Sequence, residues 1–344
     1  MRAAVTHAPR SMELRVDVPE PGPPGEGEVV VRPEAVGICG SDFHFFAGEL
    51  HAAVGATLPR IQGHEVAATI DAVGPGCDGA LRPGVRVALW PLTPCGDCYP
   101  CRIGRGNVCD RFRLIGIHAD GGLQERLTMP AAQVFPIAED RPEIAALTEP
   151  VSIAVRAVHR ARIEAGERVV VFGAGPIGQA TAVAAGERDA AVLLVDRLER
   201  RLDLGRAAGA EAIAWTSHDE VVGLAREWAG DGGPPVVVDA TGAPPAIRAA
   251  VDMAASAGRV VIVGMGPDDV ALRVGSFTEK ELDVLGTSVC NREEFAEAVA
   301  LVERNGARLA PLVTHEFPLD RAPEALVYAM ENPTVAMKVV IRGQ

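Results

Sequence analysis

The sequence has 344 residues, of which 48% are hydrophobic and 23% charged, so it is long enough for two domains with buried cores. Its formal net charge of −13 repels phosphate backbones, and we therefore predict no nucleic-acid partner. The first ten residues lack the apolar segment of a secretory signal, so we expect a cytoplasmic protein.

The first 149 residues are predicted to form a β-rich domain. Clusters of glycine and proline separate short apolar or alternating segments, as in antiparallel sheets. The predicted strands are Ala3–Thr6, Val29–Val36, Val66–Val73, Val85–Leu89 and Gln124–Met129.

Four side chains in this domain are candidate ligands of a catalytic zinc ion. Cys39 ends an apolar strand, His64 and Glu65 begin another, and Glu149 precedes the domain boundary. A thiolate, an imidazole and a carboxylate can together hold zinc and leave one position open for substrate. Taken singly, each has an ordinary alternative, such as a buried small thiol or a hydrogen-bonded histidine.

A second group of cysteines lies in one short loop. The sequence has seven cysteines, an odd number that favours thiols over disulfides. Four of them fall within fifteen positions, at Cys95, Cys98, Cys101 and Cys109. Four thiolates leave no position open for water, so we predict a structural zinc site. Together with the catalytic site, this predicts two Zn²⁺ ions per chain.

After Pro150 the pattern changes to alternating strands and helices, as in a doubly wound parallel sheet. We predict a Rossmann domain over residues 150–289, with residues 290–344 returning to complete the first domain. The predicted strands are Arg168–Phe172, Ala191–Asp196, Glu211–Ala214, Val236–Asp239, Arg259–Val263 and Leu282–Gly286. The uncharged segment Val169–Gly186 has glycines and a proline near its middle, so it favours strand, turn and helix over a membrane span.

The first of these strands leads into a glycine-rich turn that predicts a dinucleotide site. The turn permits close approach of a pyrophosphate at a helix N-terminus. Its residues are Gly173, Gly175, Pro176, Ile177 and Gly178. Asp196 ends the next strand, where a carboxylate binds the ribose hydroxyl of NAD and disfavours the 2′-phosphate of NADP. Arg197 and Arg201 could instead bind that phosphate, and Thr241 and Val263, at the ends of later strands, complete the predicted cofactor site.

These residues resemble the medium-chain, zinc-dependent alcohol dehydrogenase family over essentially the whole chain. The resemblance rests on Gly63-His64-Glu65, the four-cysteine loop with Gly104 and Asn107, and the Gly-Ala-Gly-Pro-Ile-Gly turn. It implies a GroES-like catalytic domain followed by a Rossmann domain. Glu149-Pro150 is similar to the polyol branch, in which both glutamates approach the metal; whether Glu65 or Glu149 binds it directly stays open. Ala68 departs from the glycine that is common at this position.

The resemblance also implies a reaction. Zinc lowers the pKa of a secondary hydroxyl, and hydride passes to the nicotinamide. Ser41 and His44 resemble the family's proton relay. The segment Leu114–Gly122 is similar to dehydrogenases of sugar acids such as L-galactonate or L-idonate, and His118 could contact a substrate carboxylate or be an ordinary loop histidine. Phe43, Phe45, Phe46 and Trp90 could line the substrate site or belong to the core. A homodimer or homotetramer paired through the strand Leu282–Gly286 is expected.

Two other functions remain possible on the same scaffold. A zinc-free quinone or enone reductase needs no ligands at Cys39 and His64, and a non-catalytic NAD-binding relative needs no relay. Metal content separates the first alternative from a zinc dehydrogenase, and loss of turnover in a Cys39 variant separates the second.

Overall fold

The computed structural model describes residues 1–49, 55–230, 232–266 and 269–343. The chain divides into two compact units, one formed by Met1–Glu149 with the chain from Asn291 onward, the other by Pro150–Cys290. The described residues of the first unit form three sheets and those of the second unit one, and each unit has its own hydrophobic core.

The first unit is built mainly of antiparallel strands. Its strands are β1 (Ala3–Ala8), β2 (Ser11–Arg15), β3 (Glu28–Gly37), β4 (Arg60–Ile61), β5 (Glu65–Val73), β6 (Arg86–Leu89), β7 (Leu92–Thr93), β8 (Arg113–Leu114), β9 (Leu127–Pro130), β10 (Val134–Pro136), β17 (Val313–Pro318) and β18 (Lys338–Arg342). The largest sheet has the order β10-β6-β5-β3-β18-β17, and β9 also pairs with β3. The C-terminal strands thus complete the sheet that the N-terminal strands begin.

Most residues of β3 are buried, and its pairing with β5 contains register shifts. In β3, Val29, Val31 and Val36 belong to one core, where they meet Val66 and Ile70 of β5. Removing such side chains from water is the main stabilising contribution, about 25 cal/mol per Å² of apolar surface. The buried faces fix the pairing, because a slip of one residue would turn these side chains to the other side of the sheet.

Helices of different lengths connect these strands. They are α1 (Gly40–Ala47), α2 (Tyr99–Arg102), α3 (Pro142–Ala145), α10 (Arg292–Leu309) and α11 (Ala322–Glu331), with single 3₁₀ turns at Gly106–Val108, Ala131–Gln133, Ala310–Leu312 and Leu319–Arg321. The helix α10 is kinked at Asn305 (φ −117°, ψ 16°), whose buried side-chain amide donates to the carbonyl of Leu301 at 3.1 Å. Such local bonding bends a helix without ending it.

The second unit is a parallel sheet of β11 (Arg168–Phe172), β12 (Ala191–Asp196), β13 (Glu211–Ala214), β14 (Val236–Asp239), β15 (Arg259–Ile262) and β16 (Asp283–Gly286). The strand order is β13-β12-β11-β14-β15-β16. This is the strand order of a dinucleotide-binding sheet. The predicted fold class, a GroES-like β-rich domain plus a Rossmann domain, is confirmed.

The helices of the parallel-sheet region are α4 (Thr148–Ala161), α5 (Pro176–Gly186), α6 (Glu199–Ala207), α7 (His218–Ala229), α8 (Pro244–Met253) and α9 (Gly275–Lys280). Ser217 caps α7 by accepting a hydrogen bond from the backbone N–H of Glu220 at 3.3 Å. Among the residues that the structure describes, no helix is both long enough and apolar enough to cross a bilayer.

Candidate functional site

Strand pairing in the first unit brings three candidate metal ligands together. Gly37 of β3 lies opposite Glu65 of β5, so Cys39 at the start of α1 comes next to His64 and Glu65. One donor atom each of Cys39, His64 and Glu65 lies within 4.8 Å of the others. A thiolate, an imidazole and a carboxylate this close have the chemistry and spacing to hold one zinc ion.

A buried polar network orients the histidine. Asp42 accepts a hydrogen bond from the Cys39 backbone N–H at 2.9 Å, and its other oxygen lies 3.7 Å from His64 Nδ1. Gln62 donates to the Asp42 carbonyl at 3.0 Å and accepts a bond from the Thr6 hydroxyl at 2.7 Å. Carboxylates behind ligand histidines fix the ring and increase its basicity. Asp42 therefore orients His64, and Gln62 holds Asp42 in place.

The charges of this network shift its pKa values. Burial opposes the charged imidazolium, but the Asp42 carboxylate and Cys39 outweigh it and hold the pKa of His64 well above its usual value. Burial raises the pKa of Asp42, with His64 acting in the opposite direction. Burial also raises the pKa of Glu149 to about 7; the Glu65 carboxylate adds to this shift and His64 opposes it. Several buried groups that can carry a negative charge are stabilised when a cation binds among them.

Glu149 lies in the first turn of the helix α4, where its side chain is buried. It lies outside the group formed by Cys39, His64 and Glu65, yet its charge interacts with that of His64 and Glu65. Glu149 therefore belongs to the surroundings of the candidate centre, and its role as a direct ligand stays a prediction.

The two predicted relay residues occupy different surroundings. Ser41 Oγ lies 3.4 Å from His64 Nε2, next to the candidate ligands. His44, on the exposed side of α1, instead pairs through Nδ1 with Glu49 at 2.6 Å. The candidates for substrate contact have structural partners: Phe46 belongs to the core, and His118 Nδ1 accepts the Leu114 backbone N–H at 3.1 Å.

The cysteine loop forms a second candidate metal site. Sulfur atoms 2.3 Å from the centre of a tetrahedron are about 3.8 Å apart. Here Cys98 Sγ lies 3.4 Å from Cys101 Sγ and 3.7 Å from Cys109 Sγ, and Cys95 Sγ lies 4.0 Å from Cys101 Sγ. The four thiols therefore fit one tetrahedral ion with no vacant position.

The thiols of this loop differ in pKa. Although partial burial opposes it, hydrogen bonds from the backbone N–H groups of Cys101 and Asp110 lower the pKa of Cys98 to about 6, whereas burial and a hydrogen bond with Cys98 raise the pKa of Cys101 to about 12. The loop is also anchored at Asn291, whose side chain accepts from the Asn107 backbone N–H at 3.2 Å and donates to the Gly104 carbonyl at 3.4 Å. Asn291 begins α10, so the loop is fastened to the start of the returning C-terminal segment.

The second unit contains the glycine turn between β11 and α5. Gly173 has a φ of +90°, which glycine adopts without strain. A Cβ on Gly178 would lie 1.7 Å from the carbonyl oxygen of Gly173, so only glycine lets the helix approach the strand this closely. Gly175 precedes α5, with Pro176 as its first residue, and the backbone N–H groups at this helix end can bind a pyrophosphate.

The remaining predicted cofactor residues lie at the same edge of the sheet. Asp196 accepts backbone N–H groups from Ala174 at 2.7 Å and Leu198 at 2.9 Å, which fixes its carboxylate beside the turn. Arg201 Nη1 lies 3.9 Å from this carboxylate, whereas Arg197 is exposed. The Thr241 methyl group packs beside Gly173, and the Val263 backbone N–H donates to the Asp239 carbonyl at 2.8 Å.

Sequence reasoning missed three residues of the metal site. Asp42, Gln62 and Lys338 were not among the predicted site residues. Lys338 is buried in the apolar strand β18, and its ammonium group lies 2.7 Å from each oxygen of Glu65. A lysine directly before the apolar residues 339–341 is the signal that could have identified it.

Comparison with known proteins agrees with this geometry. Residues 25–139 match the family model of the alcohol dehydrogenase GroES-like domain, and residues 176–304 match that of the zinc-binding dehydrogenases. L-galactonate-5-dehydrogenase of Escherichia coli K12 is 31% identical over 93% of this chain and 92% of its own length. Sorbitol dehydrogenase of Ovis aries is 32% identical over 98% of this chain and 95% of its own length.

A solved structure extends the likeness to three dimensions. The rspB alcohol dehydrogenase of E. coli CFT073, in complex with NADH, superimposes with a TM-score of 0.87 at 31% identity and covers 99% of both chains. The chain thus shares its fold with a solved alcohol dehydrogenase over nearly its whole length. The chain belongs to the zinc-dependent medium-chain alcohol dehydrogenase family, in the polyol branch, and is a zinc-type oxidoreductase.

Proposed function

We propose that this protein oxidises a secondary alcohol of a polyol or sugar acid, such as an L-galactonate-like or L-idonate-like hexonate, with NAD as the acceptor. The observation that supports the proposal most strongly is the group of Cys39 with the buried His64 and Glu65, and its orienting Asp42. A zinc-free reductase would not need this set of donors. The relatives named for L-galactonate and sorbitol favour a polyhydroxylated substrate.

The residues of the site would have separate roles in binding the metal and in moving the proton. Cys39, His64 and one or both of Glu65 and Glu149 would hold zinc, which when bound supplies Lewis acidity toward the hydroxyl, while bound NAD supplies the hydride acceptor. Ser41, beside His64, would take the hydroxyl proton and release its own, which the family's relay passes through the cofactor ribose to His44. His44 is exposed to solvent and held through Nδ1 by Glu49, so it is suited to exchanging that proton with water.

The residues of the glycine turn would bind the dinucleotide. Gly173, Gly175 and Gly178 admit the pyrophosphate at the start of α5, and Asp196 offers its carboxylate to the adenosine ribose. Because the negative charge of Asp196 repels a 2′-phosphate, NAD is preferred to NADP. Arg201, which lies near Asp196, offers only a partial counter-charge.

A screen of substrates against both cofactors tests this function. Reduction of NAD is followed with hexonates, hexitols, pentitols, inositols and threonine, and each active substrate is then tested with NADP. We expect the highest kcat/KM for a hexonate or a hexitol, and a lower value with NADP. A kcat/KM at least as high with NADP would contradict the assignment of Asp196, and activity confined to quinones or enones would contradict the proposed reaction.

We also propose a homodimer or homotetramer in which β16 pairs with its counterpart in a second chain. This strand lies at the edge of the parallel sheet and its side chains are largely exposed. Light scattering is expected to give a mass at least twice the 36.0 kDa of one chain. A monomer at working concentration would contradict this assembly.

A further inference from the structure

Lys338 reaches the candidate metal centre from the opposite end of the sequence. Its ammonium group donates to both oxygens of Glu65 at 2.7 Å and to the Ile38 carbonyl at 3.0 Å. An ammonium group has three N–H donors, so these contacts account for all of them. Ile38 adjoins Cys39, and Lys338 therefore contacts both strands that supply candidate ligands.

Sheet register explains how this pair forms. Gly37 of β3 lies opposite Glu65 of β5 on one side and opposite Val340 of β18 on the other. Lys338 precedes Val340 by two residues, and side chains two apart point to the same face of a strand. Glu65 and Lys338 therefore meet across β3. The space above Gly37 is filled by this carboxylate, because a Cβ on Gly37 would lie 2.0 Å from Glu65 Oε2.

The same carboxylate is also a candidate metal ligand. An oxygen of Glu65 lies within 4.8 Å of the donor atoms of Cys39 and His64. A carboxylate oxygen that accepts charge-assisted hydrogen bonds is a weaker donor to a metal ion than one that is unengaged. Lys338 also puts a positive charge next to the place where a second cation would bind, and like charges at short range repel strongly in a buried site.

We propose that Lys338 is a positioning residue that competes with the metal for the Glu65 carboxylate. This inference rests on the proposed zinc dehydrogenase function. Lys338 holds Glu65 toward Gly37 and thereby weakens the bond between this carboxylate and the metal. With less negative charge donated by Glu65, the metal would be a stronger Lewis acid toward the substrate oxygen in the remaining open position.

Cobalt substitution tests this role without measuring activity. The holoenzyme is loaded with Co²⁺, and the contribution of the four-cysteine site is subtracted with the spectrum of Cys39→Ser. In Lys338→Met the visible ligand-field bands should change, because Glu65 binds the cobalt more fully. Release of the metal from this site to a chelator should slow by at least about tenfold.

A matched variant identifies the residue through which Lys338 acts. In a Glu65→Gln background, adding Lys338→Met should change neither the spectrum nor the release rate. An equal effect in both backgrounds, unaltered cobalt bands in Lys338→Met, or faster metal release would each overturn the inference. A wild-type protein without a metal at this site would instead overturn the proposed function itself.

Lys338→Met leaves a buried carboxylate without its partner and could fail to fold for that reason. Gly37→Ala then provides the test, since its methyl group displaces the Glu65 carboxylate while Lys338 stays intact. The cobalt bands of Gly37→Ala are expected to differ from those of the wild type. Identical bands in the two proteins would overturn the inference.

Discussion

Replacement of Cys39 by serine is expected to lower kcat/KM by more than about 100-fold while the fold and NADH binding survive. Changes to residues behind the ligands of a metal site cost about 10- to 100-fold in affinity or activity, and a direct ligand should cost more. Cys39 is brought beside His64 and Glu65 by the pairing of β3 with β5. The glycine turn belongs to the other compact unit, so the dinucleotide site is expected to remain intact.

Three measurements on this variant define the result: steady-state kinetics, metal content, and NADH binding by fluorescence. Cys77→Ser is the matched control, because its thiol lies outside both ligand groups and donates to the Glu28 carbonyl at 3.4 Å. We expect Cys77→Ser to keep the activity and metal content of the wild type. Equal activity in Cys39→Ser and the wild type would show that the reaction does not depend on a metal at this site.

Replacement of Cys109 by serine is expected to cause the largest loss of stability. Its sulfur is buried and lies 3.7 Å from Cys98 Sγ, and it accepts the backbone N–H groups of Cys95 at 3.2 Å and Arg111 at 3.3 Å. Structural zinc contributes about 10–16 kcal/mol in zinc-finger peptides. Because the first unit also has its own core, a loss of at least about 4 kcal/mol is a more reasonable expectation here.

Urea unfolding with metal analysis measures this effect. The wild type should hold two zinc ions and Cys109→Ser one, with a lower unfolding midpoint and the same slope. Treatment of the wild type with a strong chelator should lower its midpoint toward that of the variant. A Cys109→Ser protein that keeps two zinc ions and unfolds at the same urea concentration as Cys77→Ser would contradict a structural metal in the loop.

The difference between the two metal sites shows how far sequence reasoning reaches. Cys95 and Cys109 end a loop of fifteen residues, so chain connectivity alone keeps the four thiols close together. Cys39 and His64 are separated by 24 intervening residues, and only the register of β3 against β5 makes them neighbours. The sequence pattern indicated these residues as candidate ligands. Their proximity, however, depends on the pairing of two strands, which no local sequence pattern predicts.

The sequence by itself determined the alternation of strands and helices, the glycine turn and the four-cysteine loop, because each depends on contacts between residues close along the chain. Tertiary structure alone decided that Lys338 contacts Glu65, that Asp42 and Gln62 support His64, and that Phe46 belongs to the core. These contacts join residues far apart in sequence. They follow from which strands become neighbours and in what register, and burial of the whole apolar face fixes that choice.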